Sequence, residues 1–234
     1  MSGVAFIFAR GGSKGLPGKN IKPFCNGPPL LARSILVAKE IAAIDSVYVS
    51  TDSEEIAEVA LKYGAEVPFI RPPELASDTS PEWHSWQHAV NFLLENKSTP
   101  DWIVSLPPTA PLRNSYDVES CIKEFESNQC DVVISVTDPH RNPFFNMVKR
   151  DDQGLYTKII DSLDIHRRQD APSVFDITTV AYVADPNFIL SATTIFDGIV
   201  RAVHVPFERS IDIDNQLDFD IAEFLFTRGM DVAK

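Results

Sequence analysis

Val4-Ala5-Phe6-Ile7-Phe8-Ala9, followed without a break by Arg10-Gly11-Gly12-Ser13-Lys14-Gly15-Leu16-Pro17-Gly18-Lys19-Asn20, decides how the chain is read. The first six residues are apolar throughout, as in a short strand buried on both faces. The next eleven hold four glycines and one proline, which argues against regular helix or strand. Glycine lets a backbone come close to a ligand and turn successive N–H groups into one concavity. Arg10, Lys14 and Lys19 add positive charge, and Ser13 and Asn20 add short polar groups. Such a loop suits a polyphosphate, and it stands directly after a first strand, where open α/β sheets place ligands. The alternative is a flexible basic surface loop. A Walker A loop is excluded because Gly18-Lys19 is followed by Asn20 and no upstream glycine has the required spacing. The dinucleotide fingerprint is excluded because Gly11 and Gly12 are adjacent.

Outward from this stretch, strands and helices alternate. Leu30–Lys39 has the spacing of an amphipathic helix, Ser46–Thr51 that of a strand, and Asp52 or Ser53 can cap a helix through Tyr63 that stops at Gly64. Glu66–Ile70 is expected as a third strand, Trp102–Leu106 and Val132–Val136 as buried strands, Asp117–Ser127 as a helix and Arg201–Phe207 as a late strand. Alternation with short connections predicts a Rossmann-like, mostly parallel sheet with helices on both faces. Residues 1–138 and 177–234 form that α/β domain, and residues 139–176, aromatic and loop-like with a hairpin turn at Asp151-Asp152-Gln153-Gly154, form a small inserted lobe.

Arg71–Pro81 is a polar loop at a strand end, where Arg71 can reach a phosphate or a base edge and Asp78, Thr79 and Ser80 can serve ribose or base. Ser80 before Pro81 equally fits a helix N-cap. Trp83, Trp86, Val90 and Leu93 have the spacing of a helical core stripe; His84 and His88, with no third ligand nearby, are read as structural. In Ser210-Ile211-Asp212-Ile213-Asp214 the alternation turns Asp212 and Asp214 to one side. Two carboxylates on one face suit Mg²⁺, which prefers a few carboxylates together with phosphate oxygens and water. Asp214 can also cap the helical run Leu217, Ile221, Phe224 and Leu225.

The chain has 234 residues and a formal net charge of −12. That charge excludes general nucleic-acid binding, which needs a basic face, but leaves room for a nucleotide on a local basic cluster. No apolar run approaches the ~20 residues of a membrane span. There is no basic leader with a cleavage site, and Cys25, Cys121 and Cys130 form no paired motif. A cytoplasmic protein is expected.

The loop Ala9–Asn20 resembles the N-terminal signature of the acylneuraminate cytidylyltransferases, also called CMP-sialic acid synthetases. The resemblance continues through Arg71–Thr79, Pro108-Thr109-Ala110-Pro111-Leu112-Arg113, Arg168-Gln169 and Ser210–Asp214, in the expected order. It implies an enzyme that couples CTP to the anomeric hydroxyl of a 2-keto sugar acid, with Mg²⁺ on Asp212 and Asp214. By the same resemblance Ala9, Arg10, Gly11, Gly12, Ser13, Lys19, Asn20, Arg71, Asp78 and Ser80 bind nucleotide, and Arg10, Lys19, Asp212 and Asp214 carry catalysis. Backbone N–H groups at Gly11–Ser13 would cradle the phosphates. It further implies that the inserted lobe joins two copies into a homodimer, with Phe144, Phe145 and Met147 at the interface, and that Arg168 and Gln169 face the sugar.

Two positions depart from the family's pattern. Pro107 stands where many relatives have a glutamine that contacts the sugar, and the Arg-Pro-Asn-Gly element of many sialic acid enzymes is replaced so that Asp176 stands for its arginine and Thr178 for its asparagine. The resemblance implies a sialic acid-like nonulosonate, with Asp176 and Thr178 in the sugar site, and the departures allow a modified one such as legionaminate or pseudaminate, or an amine-bearing sugar. An eight-carbon Kdo-type acid, or a catalytically silent nucleotide-binding protein, are the alternatives.

Overall fold

The structure, a computed structural model, describes residues 1–161 and 165–229. In chain order the main elements are β1 (Gly3–Phe8), α1 (Leu30–Glu40), β2 (Ile44–Ser50), α2 (Glu54–Lys62), α3 (Glu82–Glu95), β3 (Trp102–Ser105), α4 (Ser115–Ser127), β4 (Val132–Thr137), β5 (Val148–Arg150), β6 (Tyr156–Lys158), β7 (Asp176–Ala184), α5 (Pro186–Ser191), β8 (Val200–His204) and α6 (Gln216–Thr227). Six strands form one sheet in the order β2-β1-β3-β7-β4-β8. All neighbours are parallel except β7, which runs antiparallel to both β3 and β4. The alternation of β1 explains the layering. Ala5 and Ile7 point to the face covered by Leu31, Ile35, Val118 and Ile122, and Val4 and Phe6 point to the face covered by Trp83, Trp86, Val90, Leu93 and Ile189.

Local signals place most helix ends. Ser53 caps α2 by accepting from the Ile56 N–H, and Gly64 follows at φ +82°, a conformation that strains other residues. Asn114 and Asp117 form a capping box at the start of α4.

Three local expectations are corrected. Glu66–Ile70 is not a strand. It runs beside β2 but bridges only at Glu66–Tyr48 and Ile70–Thr51, because Pro68 between them has no N–H to donate. Ser80 does not cap α3, whose boundary residue is Pro81 with no side-chain cap. Asp214 does not cap α6. Asn215 does, in a capping box with Asp218. The run expected as a helix is α6, which buries Phe219 and Ala222 against Leu16, Phe24, Leu30 and Leu112 and leaves Leu217, Ile221 and Phe224 exposed.

Between β4 and β7 the chain leaves the sheet. Asp151 Oδ1 accepts from the N–H groups of Gln153 and Leu155 and so builds the turn of the β5–β6 hairpin. The loop before it is tied back by Asn142, whose amide donates to Pro172 O at 3.0 Å. Phe144 and Phe145 are half-buried, while Met147, Val148, Leu155 and Tyr156 are exposed.

Candidate active site

The phosphate-loop candidate closes one end of a cavity of about 870 Å³ at the C-terminal ends of β1 and β3. It is built into the fold from several sides. The buried Asn20 amide donates to Arg10 O at 3.0 Å. Lys19 Nζ donates to Ile213 O at 2.6 Å and lies 3.4 Å from Asp214 Oδ1, fastening the loop to the Ser210–Asp214 segment. Gly15 is required there, since a Cβ on it would stand 2.2 Å from Asp214 O.

Ala9 is buried and its N–H extends the ladder to Ser50 O. The Gly11 N–H donates to Asp52 Oδ1 at 2.9 Å and the Ser13 N–H to Gly11 O at 3.1 Å. Of the amides expected to cradle phosphate at Gly11–Ser13, those of Gly11 and Ser13 thus have protein partners here. Positive charge remains plentiful. Arg10 and Lys14 meet on one carboxylate, Asp78, at 2.9 and 2.5 Å. Their cations hold Asp78 below the ordinary carboxylate range, the hydrogen bond from Lys14 most of all.

Arg71 lines the same cavity. It is 4% exposed and its guanidinium gives one hydrogen bond, Nη1 to Ser85 Oγ at 3.0 Å, while Nε and Nη2 are buried without a partner among the described residues. Each such orphan costs about 1–3 kcal/mol. Burial pulls the guanidinium below its usual range, partly offset by the charges of Asp52 and Glu82. A buried cation with spare donors on a cavity wall is a ligand site waiting for an acceptor. Ser80 Oγ, also buried and unpartnered, lines the same cavity.

The carboxylate pair divides its labour. Asp214 is exposed and lines the cavity beside Lys19. Asp212 sits behind Thr109 and Thr179, both of which line the cavity, and its Oδ1 is buried with no hydrogen-bond partner. Burial pushes its carboxyl up, the Asp214 charge adds to this, and the Thr109 and Thr179 hydroxyls and Lys19 oppose it. An orphaned carboxylate oxygen next to an exposed carboxylate fits Mg²⁺. No group of three or more candidate ligands occurs among the described residues.

Sequence reasoning missed part of the frame. Arg113, fully buried, donates to Pro107 O, to Ala110 O at 3.1 Å and to Thr179 O at 3.1 Å, so it pins the proline rim to β7. Burial pulls its pKa down to about 9. Arg209 holds Asp117 with both oxygens at 2.9 Å and anchors the segment that carries Asp212. Thr193, Thr194 and Ile195, after α5, close the far wall. Only the run Pro108–Arg113 was visible beforehand.

The sugar-site candidates are not at this cavity. Arg168, Gln169 and Asp176 are exposed on the lobe side, with Arg168 Nη2 donating to Pro139 O at 2.9 Å. Thr178 is buried in β7 and donates to Ser135 Oγ at 2.8 Å, a partnership inside the sheet. Pro107 does line the cavity.

Residues 4–156 match the family model described as cytidylyltransferase. The chain belongs to the cytidylyltransferase family. This cytidylyltransferase is 36% identical to the post-translational flagellin modification protein B of Campylobacter coli, over 94% of this chain and 92% of that one. It is 34% identical to the CMP-N,N'-diacetyllegionaminic acid synthase of Campylobacter jejuni, over 94% and 93% of the two chains, and 31% identical to a pseudaminic acid cytidylyltransferase of the same species, over 97% of each. In fold it matches a CMP:2-keto-3-deoxy-manno-octonic acid synthetase complexed with CTP, with a TM-score of 0.72 at 15% identity over 98% of this chain and all of the other.

Proposed function

We propose that this cytidylyltransferase couples CTP to a nonulosonic acid of the legionaminate or pseudaminate type, releasing pyrophosphate. The observation that carries it is the Lys19 contact: one ammonium ties the glycine-rich basic loop to the segment bearing Asp212 and Asp214, so phosphate-binding and carboxylate groups share one cavity. The sugar choice rests on the names of the relatives at 31–36% identity and on Pro107, which cannot supply the side-chain amide found in many sialic acid enzymes.

The sugar's anomeric hydroxyl forms the new O–P bond at the α-phosphorus, the bond to the β-phosphate oxygen breaks, and the hydroxyl proton passes to solvent. Such a transfer needs positioning and charge stabilisation more than covalent help. Arg10 and Lys19 stabilise charge growing on the departing pyrophosphate, and the rim Pro107–Pro111, locked by Arg113, keeps the acceptor side rigid. Asp212 and Asp214 are the residues that would hold Mg²⁺, which supplies neutralisation of phosphate oxygens and a more acidic attacking hydroxyl when bound.

The inserted lobe supports a homodimer. Leu155 and Tyr156 are 61% and 66% exposed on a two-stranded hairpin that a monomer leaves uncovered. Arg168 and Gln169, remote from their own cavity, then face the partner's and offer a planar cation for the sugar carboxylate. Three unpaired cysteines and the CTP requirement fit a cytoplasmic enzyme; no helix among the described residues is long and apolar enough to cross a membrane. The test is pyrophosphate release from CTP and Mg²⁺ with N,N'-diacetyllegionaminate, pseudaminate, N-acetylneuraminate and Kdo. Release with either of the first two is the expected result; release with Kdo alone overturns the acceptor assignment.

A further inference from the structure

Asp212 and Asp214 stand one residue apart yet meet the cavity differently. Asp214 lines it. Asp212 does not, and Thr109 of the proline rim and Thr179 of β7 line it instead. The two hydroxyls bond to the Asp212 carboxylate, and Thr109 Oγ1 also donates to Thr179 Oγ1 at 3.4 Å. The Oδ1 of Asp212 is buried with no partner among the described residues. An oxygen suited to a cation is thus present but shut behind a wall of hydroxyls.

The backbone here is fixed on every side. The Ile213 N–H donates to Thr109 O at 2.9 Å, Lys19 Nζ donates to Ile213 O at 2.6 Å, and the Asp214 N–H donates to Asp218 Oδ2 at 3.0 Å. What remains free to bring the carboxylate forward is rotation of the Asp212 side chain. The withdrawn position has its own support. Arg113 Nη2 holds Thr179 O at 3.1 Å, and of the carboxylates around the buried Arg113 guanidinium that of Asp212 acts on it most strongly.

An ion arriving alone therefore meets one carboxylate in the cavity, Asp214, and that one lies 3.4 Å from the Lys19 ammonium, whose like charge opposes it. To gain Asp212 as well it must draw the carboxylate away from two hydroxyls and a buried cation. Mg²⁺ asks for several oxygen ligands at once. A triphosphate supplies such oxygens and also neutralises Lys19.

Resting on the cytidylyl-transfer reading, we propose that Thr109 and Thr179 are positioning residues that hold Asp212 withdrawn in the free protein, so that the metal ion is taken up together with CTP rather than ahead of it. Neither threonine takes part in bond making.

The experiment is Mn²⁺ titration of the full-length protein without nucleotide, with free Mn²⁺ read by electron paramagnetic resonance, for wild type, Thr109→Val and Thr109→Ser. Valine keeps the branched shape and the backbone carbonyl that Ile213 uses, but leaves the withdrawn carboxylate less satisfied and so favours its turning to the ion. Thr109→Val is expected to bind Mn²⁺ about fivefold tighter or more, the scale of a lost hydrogen bond to a charged group. Thr109→Ser should match wild type, and adding Asp212→Asn to Thr109→Val should abolish the gain. A fall in affinity in the valine variant means that the hydroxyl aims Asp212 at the ion, and an unchanged affinity means that it only packs; either overturns the proposal. So does a gain that survives Asp212→Asn. Should Thr109→Val fail to fold, as judged by its thermal midpoint in EDTA, Thr179→Val gives the same comparison with the same sign. Wild type that releases pyrophosphate from CTP and a sugar acid, with valine variants that bind Mn²⁺ as wild type does, overturns the threonine assignment alone. No pyrophosphate release with any acceptor, together with Mn²⁺ binding that ignores Asp212, overturns cytidylyl transfer as well.

Discussion

The phosphate loop and the inserted lobe both carry cations that the family resemblance assigns to substrate, yet the fold treats them in opposite ways. Arg10 and Lys19 are drawn to one cavity and fastened by Asn20, Asp78 and Ile213. Arg168 sits exposed on a lobe whose hairpin leaves Val148, Leu155 and Tyr156 uncovered. The first region is fastened within one chain; the second is open to solvent in it. Positive charge alone does not make a site; the backbone contacts that fix its direction do.

The largest effect that tests this contrast is at Lys19. Lys19→Ala removes the cation and the tie to Ile213, and kcat should fall by about a hundredfold or more with little change in circular dichroism. Near-wild-type turnover would mean that the loop is not where the phosphates react. Next is Arg71→Met, which removes two orphaned donors. CTP affinity should drop by about tenfold to a hundredfold, while the melting temperature without ligand holds or rises, since a buried charge with incomplete pairing is replaced by an apolar chain of similar length. Loss of both binding and stability would show that Arg71 serves the core.

On the lobe, Tyr156→Asp should shift sedimentation from dimer to monomer at micromolar concentration, a cost of about 1–2 kcal/mol at the interface, and raise the KM for the sugar acid more than that for CTP. An unchanged dimer would place the interface elsewhere, and the exposed stripe Leu217, Ile221 and Phe224 on α6 becomes the next surface to alter. Smallest is Asp78→Asn. It frees Arg10 and Lys14 from their shared carboxylate, and affinity for inorganic triphosphate should rise by about two- to threefold, the small scale of an exposed, solvent-screened ion pair. Asp78 has a depressed folded pKa, so the pairing is complete above the ordinary carboxylate value and is lost only as pH falls through the depressed one. The gain should therefore be fully present at neutral pH. A weaker affinity instead would mean that Asp78 itself holds the nucleotide.

Much of the fold was legible because periodicity is local. The alternation in β1, the Ser53 cap, the Gly64 stop and the Trp83–Leu93 stripe follow from residues a few positions apart. Where two local signals competed, the outcome depended on neighbours far along the chain. Ser80 and Asp214 each had the chemistry of a cap, but Asn215 with Asp218 made the better one, and Ser80 was left facing the cavity. In α6 apolar residues fall on more than one side of the helix, so spacing alone did not say that Phe219 rather than Leu217 would meet Phe24 and Leu112.

The sequence by itself determined the α/β alternation, the glycine-rich basic loop after the first strand, and the pairing of Asp212 with Asp214 across one intervening residue. Each is written in spacing of a few residues, and each follows from backbone geometry. Only the tertiary structure decided that β7 runs antiparallel between β3 and β4, that Lys19 crosses to Ile213, that Arg113 locks the proline rim, and that Arg71 and Ser80 line the cavity that the basic loop closes. These pairings join residues far apart in the chain, and their energies depend on burial and on which donors are left without acceptors, quantities that exist only once the layers have packed.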